Sequence, residues 1–153
     1  LGQTRTETFS LMLELPAINR EATRRRVENE LGRIRMYRRM GSVRREAATT
    51  ASYEARLHGA TNRVSKPSET VAIWNVDKET ELARRSQMMD KALACLNELE
   101  RELIMKRYLE TDDTYDYLIC GDLGVSERKY RRVKAAAIAK LAWALQLEVP
   151  AIG

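Results

Sequence analysis

The chain has 153 residues, 44% of them apolar and 32% charged, with a net charge of +5. That is too hydrophobic for a disordered tail and long enough for one domain of ordinary size. No apolar run approaches the roughly 18 residues that suggest a membrane span, and the opening "LGQTRTE" lacks the basic-then-apolar pattern of a signal peptide, so a cytoplasmic protein with no membrane partner is expected.

Charge is distributed unevenly. Residues 1–66 carry 14 Lys or Arg against 7 Asp or Glu, residues 67–124 carry 7 against 13, and residues 125–153 carry 6 against 2. Two basic regions thus flank an acidic middle, which points to an acidic partner for the ends rather than for the whole chain. With only 3 Pro and 7 Gly, few β-branched runs, and apolar residues spaced by three and four, the fold class is predicted to be all-α.

After Pro16, Asn19 is an N-cap candidate, and Val27, Leu31 and Ile34 form a stripe that continues to Met40-Gly41. This predicts a long amphipathic helix within an Arg-rich N-terminal arm, residues 1–48. Its apolar seam suits pairing with a second subunit, and Arg24, Arg25, Arg35, Arg38 and Arg39 are candidate accessory contacts to DNA or to a partner. Residues 49–68, "TTASYEARLHGATNRVSKPS", are polar, without a period, and end in a Lys-Pro-Ser turn signal, so they read as a linker. A domain over 69–149 follows.

Within it a second long helix runs to about Leu96, with Trp74, Leu82, Met89, Leu93 and Leu96 on one face. Asn97 with Glu100 three residues on has capping-box spacing, so a new helix starts there and ends near Leu109, turning Leu99, Leu103, Ile104 and Tyr108 inward. "TDDT" (111–114) is a polar turn, with Asp113 or Thr114 as the cap of a short helix from about Tyr115 to Leu123.

Gly124 interrupts the helical pattern just before a basic segment, and Ser126 is a good N-cap, so a left-handed glycine between two helices is predicted: a helix-turn-helix pattern. On the last helix, from Ser126 to about Leu147, a rotation of about 100° per residue places Tyr130, Val133, Ala137 and Leu141 on one side. Arg128, Arg132, Ala135 and Ala139 lie opposite. Such a slim basic face suits the major groove, about 12 Å wide. Arg128 and Arg132 are placed to bond guanine edges, Glu127 to accept from a cytosine amino group, and Ser126, Lys129 and Arg131 to meet phosphates.

"VSERKYRRVKAAAIAKL" (125–141) resembles the helix-turn-helix of sigma-70 region 4, and "LNELERELIMKRYLE" resembles the helix that precedes it there. More widely, "IWNVDKETEL", "ELERELIMKRYLE" and "LAWALQLEV" resemble the ArpU family of phage transcriptional regulators, related in kind to RinA-type late-gene activators; "LPAINREATRRRVENELGRIRMYRR" matches more loosely. The resemblance implies DNA binding by the C-terminal module and activation of phage packaging, morphogenesis and lysis genes. It also implies base reading by the positions of Glu127, Arg128 and Arg132, with Lys129 and Arg131 near the backbone. Only Arg131 keeps the residue type found in sigma, so a target unlike a standard promoter element is expected.

Other chemistry has little support. His58 stands in the linker without a nucleophile beside it, "ETDDTYD" lacks the spacing and glycine of a calcium loop, and no glycine-rich phosphate loop occurs, so no catalytic residue, metal or cofactor is predicted. Trp74, Trp143, Tyr37, Tyr108 and Tyr130 fall on apolar stripes and are expected in the core rather than stacked on single-stranded bases. Cys95 and Cys120 are expected as buried free thiols. The competing functions are a packaging protein of small-terminase type, and a sigma-like adaptor that binds RNA polymerase. A homodimer on paired half-sites fits the first reading.

Overall fold

The computed structural model describes residues 17–41, 67–111 and 114–152. The protein is all-α: the described residues form five α-helices and one π turn, with no strand among them beyond a single antiparallel bridge between Ile18 and Pro150.

Helix α1 is Arg20–Met40. Asn19 caps it by accepting a bond from the Ala22 N–H at 3.0 Å, Glu21 sits in the first turn and Arg38 and Arg39 in the last, as the helix dipole favours. Gly41 ends it at φ 71°. Its buried stripe is Thr23, Val27, Leu31 and Ile34, and it packs on the last helix, on the turn at 105–109 and on the second helix. The predicted seam is therefore covered by the chain's own helices, and α1 shares their core instead of standing apart as an arm with a dimerisation face. The C-terminal tail secures its start: the Asn19 N–H donates to Val149 O, the Ala151 N–H to Ala17 O, and the Val149 N–H to the Thr23 hydroxyl.

Helix α2 is Pro67–Ala94. Pro67 and Ser68, predicted to lie in a turn that ends the linker, belong to this helix. The rest of the predicted linker, with His58, lies outside the described residues. Met89, Ala92, Leu93 and the following Leu96 are buried, whereas Trp74 and Leu82 are only half-buried. At 28 residues the helix is about 42 Å long, more than the core can cover. Arg38 links α1 to it through the Ser86 hydroxyl at 3.0 Å and Asp90 at 2.6 Å, and Arg85 does so through Glu30 at 3.1 Å.

Helix α3 is Glu98–Ile104. The predicted capping box is present, with Glu100 N–H on Asn97 Oδ1 at 2.8 Å and Asn97 N–H on Glu100 Oε2 at 3.1 Å. Arg101 reaches back to the carbonyls of Leu93 and Leu96 and satisfies the end of α2. The helix then widens into a π turn, Met105–Leu109, closed by the Glu110 N–H on Met105 O. Tyr108 is buried there and donates to Glu28 of α1 at 2.8 Å, while Arg35 of α1 donates to the carbonyls of Tyr108 and Thr111.

Helix α4 is Asp116–Leu123 and helix α5 is Glu127–Leu145. The expected side-chain cap of α4 is not observed: its N-cap is Tyr115, with no side-chain bond, and the Thr114 hydroxyl pairs with that of Thr111. Asp112 and Asp113 lie outside the described residues. Gly124 is left-handed at φ 64°, ψ 33°. Its N–H and that of Val125 return to Gly121 O and Cys120 O, a Schellman closure. Ser126 caps α5 by accepting from the Lys129 N–H at 3.2 Å.

Candidate nucleic-acid interface

Two consequences of the Gly124 turn build the surface. The left-handed residue reverses the chain after α4, and the Ser126 cap starts α5 with a fixed phase, so its faces are set by sequence. Tyr130, Ala137 and Leu141 are each at most 1% exposed and Val133 is half-buried, anchoring the inner side. Arg128, Lys129, Arg131, Arg132, Ala135 and Ala139 are exposed, as are Ser126 and Glu127 at the start. All the residues predicted to meet bases or phosphates on α5 thus lie on its outer side.

Within that set Glu127 and Arg131 are the side chains that bond to one another, at 3.4 Å, 71% and 80% exposed, while the Ser126 hydroxyl is engaged by the Lys129 N–H. An open pair of this spacing contributes about 0.3–0.5 kcal/mol, so both groups can leave it for another partner at small cost. The charged groups of Arg128, Lys129 and Arg132 have no ion-pair or hydrogen-bond partner among the described residues. The fifth basic residue of the segment, Lys134, is different: it turns inward to Asp116 at 3.2 Å.

Asp116 fixes the relation of α4 to α5. Its carboxylate accepts from Arg107 Nε at 2.7 Å, from the Tyr130 hydroxyl at 2.9 Å and from Lys134. Burial pushes its pKa up, but the bonds from Arg107 and Tyr130 and the charge of Lys134 outweigh this and hold it below the ordinary aspartate range. Tyr130 is shifted upward, by burial and by donating to Asp116, so its hydroxyl stays protonated. Glu100 is a second inter-helix tie, accepting from Lys140 of α5 at 2.8 Å; burial opposes its ionisation, and Lys140 with the Asn97 N–H overcomes it.

Because the folded pKa of Asp116 is depressed, its contribution is present above the unfolded value near 4 and is lost as pH falls through the folded one. Asp116→Asn should lower stability at neutral pH by about 1 kcal/mol, the usual worth of a bond to a charged group reduced for solvent screening. In a thermal melt that is about 3 °C, and the gap to the wild type should close as pH drops below about 4. A gap unchanged from pH 7 to pH 3 would show that the carboxylate charge is not what ties α4 to α5.

The predicted accessory arginines separate. Arg35 and Arg38 are bound to the chain's own carbonyls, to Ser86 and to Asp90, so these two tie α1 to its neighbours, Arg35 half-buried and Arg38 at the surface. Arg25 pairs with Glu21 at 2.5 Å, and Arg39 is exposed in the last turn. Arg24 is exposed beside α5, lining with Arg20 a groove whose floor includes Ala135 and Ala139. Sequence reasoning omitted Arg20; its sole signal was its place at the first position of α1, one turn before Arg24.

Two expectations about large or reactive side chains fail. Trp143, on the outer side of α5, is 68% exposed, and Cys95 is exposed at the end of α2, while Cys120 is buried. Among the described residues no group of His, Cys, Asp and Glu could hold a metal, and no helix is long and apolar enough to cross a membrane.

The fold and this surface define an all-helical protein that presents an outward basic helix after a glycine turn. Compared with known proteins, the chain is similar to the uncharacterized phage-related protein Lin1259/Lin1739 of Listeria innocua serovar 6a, with 28% identity over 138 residues, covering 90% of this chain and 96% of the relative. No family model and no solved structure matches it.

Proposed function

We propose that the protein is a sequence-specific double-stranded DNA-binding regulator that activates phage late genes, with α5 as the element that enters the major groove. The observation that carries this reading is the outward projection of Arg128 and Arg132, unengaged by other side chains, from a helix whose opposite side is anchored by Tyr130, Ala137 and Leu141. Exposed cations without an internal partner lose no interaction on meeting phosphate or guanine. The similarity to a phage-related protein over nearly the whole chain supports the genetic setting. The resemblance to ArpU-type regulators supplies activation, for which contact with RNA polymerase beside the DNA is the simplest physical route.

Selection of bound sequences from a random duplex pool, followed by fluorescence anisotropy over a salt series, tests it. A defined motif should emerge, and affinity should fall with salt by about 0.9 logarithmic units per phosphate contact. Lys129→Ala should weaken selected and random duplexes alike and reduce that slope by about 1. Recovery of no preferred sequence, together with a solution mass of a many-subunit ring, would replace this reading with DNA packaging.

A further inference from the structure

The surface of α1 is rich in arginine, but most of it is neutralised from within. Arg25 is matched by Glu21, Arg33 by Glu30 at 3.7 Å and Arg38 by Asp90, and Arg35 is held by carbonyls. Arg20 and Arg24 differ. Both are exposed, they stand one turn apart, and neither side chain has a hydrogen bond or ion pair among the described residues; Arg26 is likewise exposed and unpaired but lines a different groove, with Arg33 and Arg85.

These two side chains rim an open groove of about 650 Å³ between the start of α1 and the second half of α5. Ala135, Ile138, Ala139 and Ala142 form its α5 wall, and Ala135 follows Arg132 by three residues, so the groove continues the outward face of α5 without a break. Its acidic rim groups are Glu21, whose carboxylate Arg25 already holds, and Glu148. Two unmatched guanidiniums against one unmatched carboxylate leave the rim positive. With Arg25, Arg33, Arg35 and Arg38 of α1 held by other groups of the chain, and Arg26 lining a different groove, Arg20 and Arg24 are the unmatched α1 cations beside the candidate DNA-reading helix, and they make the surface there complementary to a polyanion.

We infer that Arg20 and Arg24 form a second DNA-binding site, gripping the phosphates of the strand that borders the major groove occupied by α5. This rests on the DNA-binding reading above and extends it: α5 reads sequence, and the start of α1, fixed to the C-terminal tail, adds affinity that is indifferent to sequence. The groove gives the sugar-phosphate strand room to lie against α5 between the reading arginines and the phosphate clamp.

The test is anisotropy with a labelled random-sequence duplex of about 20 base pairs and with a selected duplex, between about 50 and 200 mM salt. Arg20→Gln with Arg24→Gln should reduce the salt slope by about 1.8, so that the loss of affinity across this range becomes about tenfold smaller. Binding should weaken by the same factor on both duplexes, leaving their ratio intact. Lys91→Gln, an exposed cation on α2 that does not line the groove, is the control and should keep the wild-type slope. Circular dichroism establishes that the variants stay folded. A double variant with the wild-type slope overturns the inference while leaving the α5 reading intact, as does a loss seen only in binding to RNA polymerase. A wild-type protein that binds neither duplex overturns both.

Discussion

Leu31→Ala should destabilise the protein by about 3 kcal/mol, within the range of about 2 to 5 for a leucine removed from a packed core. Leu31 is fully buried, with Val27 and Ile34 on the same stripe, in a cluster that also holds Met89, Leu103, Ile104, Tyr130 and Leu141 from the other helices. Truncation leaves a cavity lined by residues of several elements, none of which can close it alone. In urea the midpoint should fall by about 1.5 M, and the shift should not depend on protein concentration. That independence is the informative part. If the stripe instead faced a second subunit, the effect would appear as a concentration-dependent dissociation, and a monomer would be unaffected. The polar ties from α1, Arg35 to the 108–111 carbonyls and Glu28 to Tyr108, predict the same cooperativity, because removing α1 would uncover both the core and these groups.

The features that could be read from sequence are those decided within a turn of chain. Asn19, the Asn97 and Glu100 box, Gly124 and Ser126 all act as expected, since a cap or a left-handed glycine depends on neighbours three or four residues away. The inner and outer sides of α5 follow from helical rotation alone. What was not legible depends on distant partners. An apolar stripe on α1 announces that something covers it, not whether that is another copy or α5 of the same chain. Arginines at 35 and 38 look like those at 20 and 24 until carbonyls 73 and 76 residues away, Ser86 and Asp90 are in place. The π turn has no period to mark it, because its reward is the burial of Tyr108 against α1. Trp143 shows the converse error: taken as part of an apolar stripe and expected in the core, it sits by rotation close to the exposed alanines of α5 and is itself exposed.

The largest functional effect should come from the outward arginines of α5. Arg132→Ala is expected to lower affinity for a selected duplex by about 1 to 3 kcal/mol while changing random-duplex binding far less, because a bidentate contact to guanine is lost only where the guanine is present. Arg128→Ala should behave alike. The double variant need not show the sum, since the two are one turn apart and can share one base step; a total below the sum of the singles would show that they read as a unit. Neither change touches the fold in the way Leu31→Ala does, because both side chains are exposed and neither bonds to another side chain among the described residues. Melting temperature is therefore the control, expected to stay within the small range of surface substitutions. Equal loss on selected and random duplexes would move both arginines from base reading to phosphate binding. The sequence preference would then have to come from Glu127, the remaining α5 group positioned to accept from a cytosine amino group.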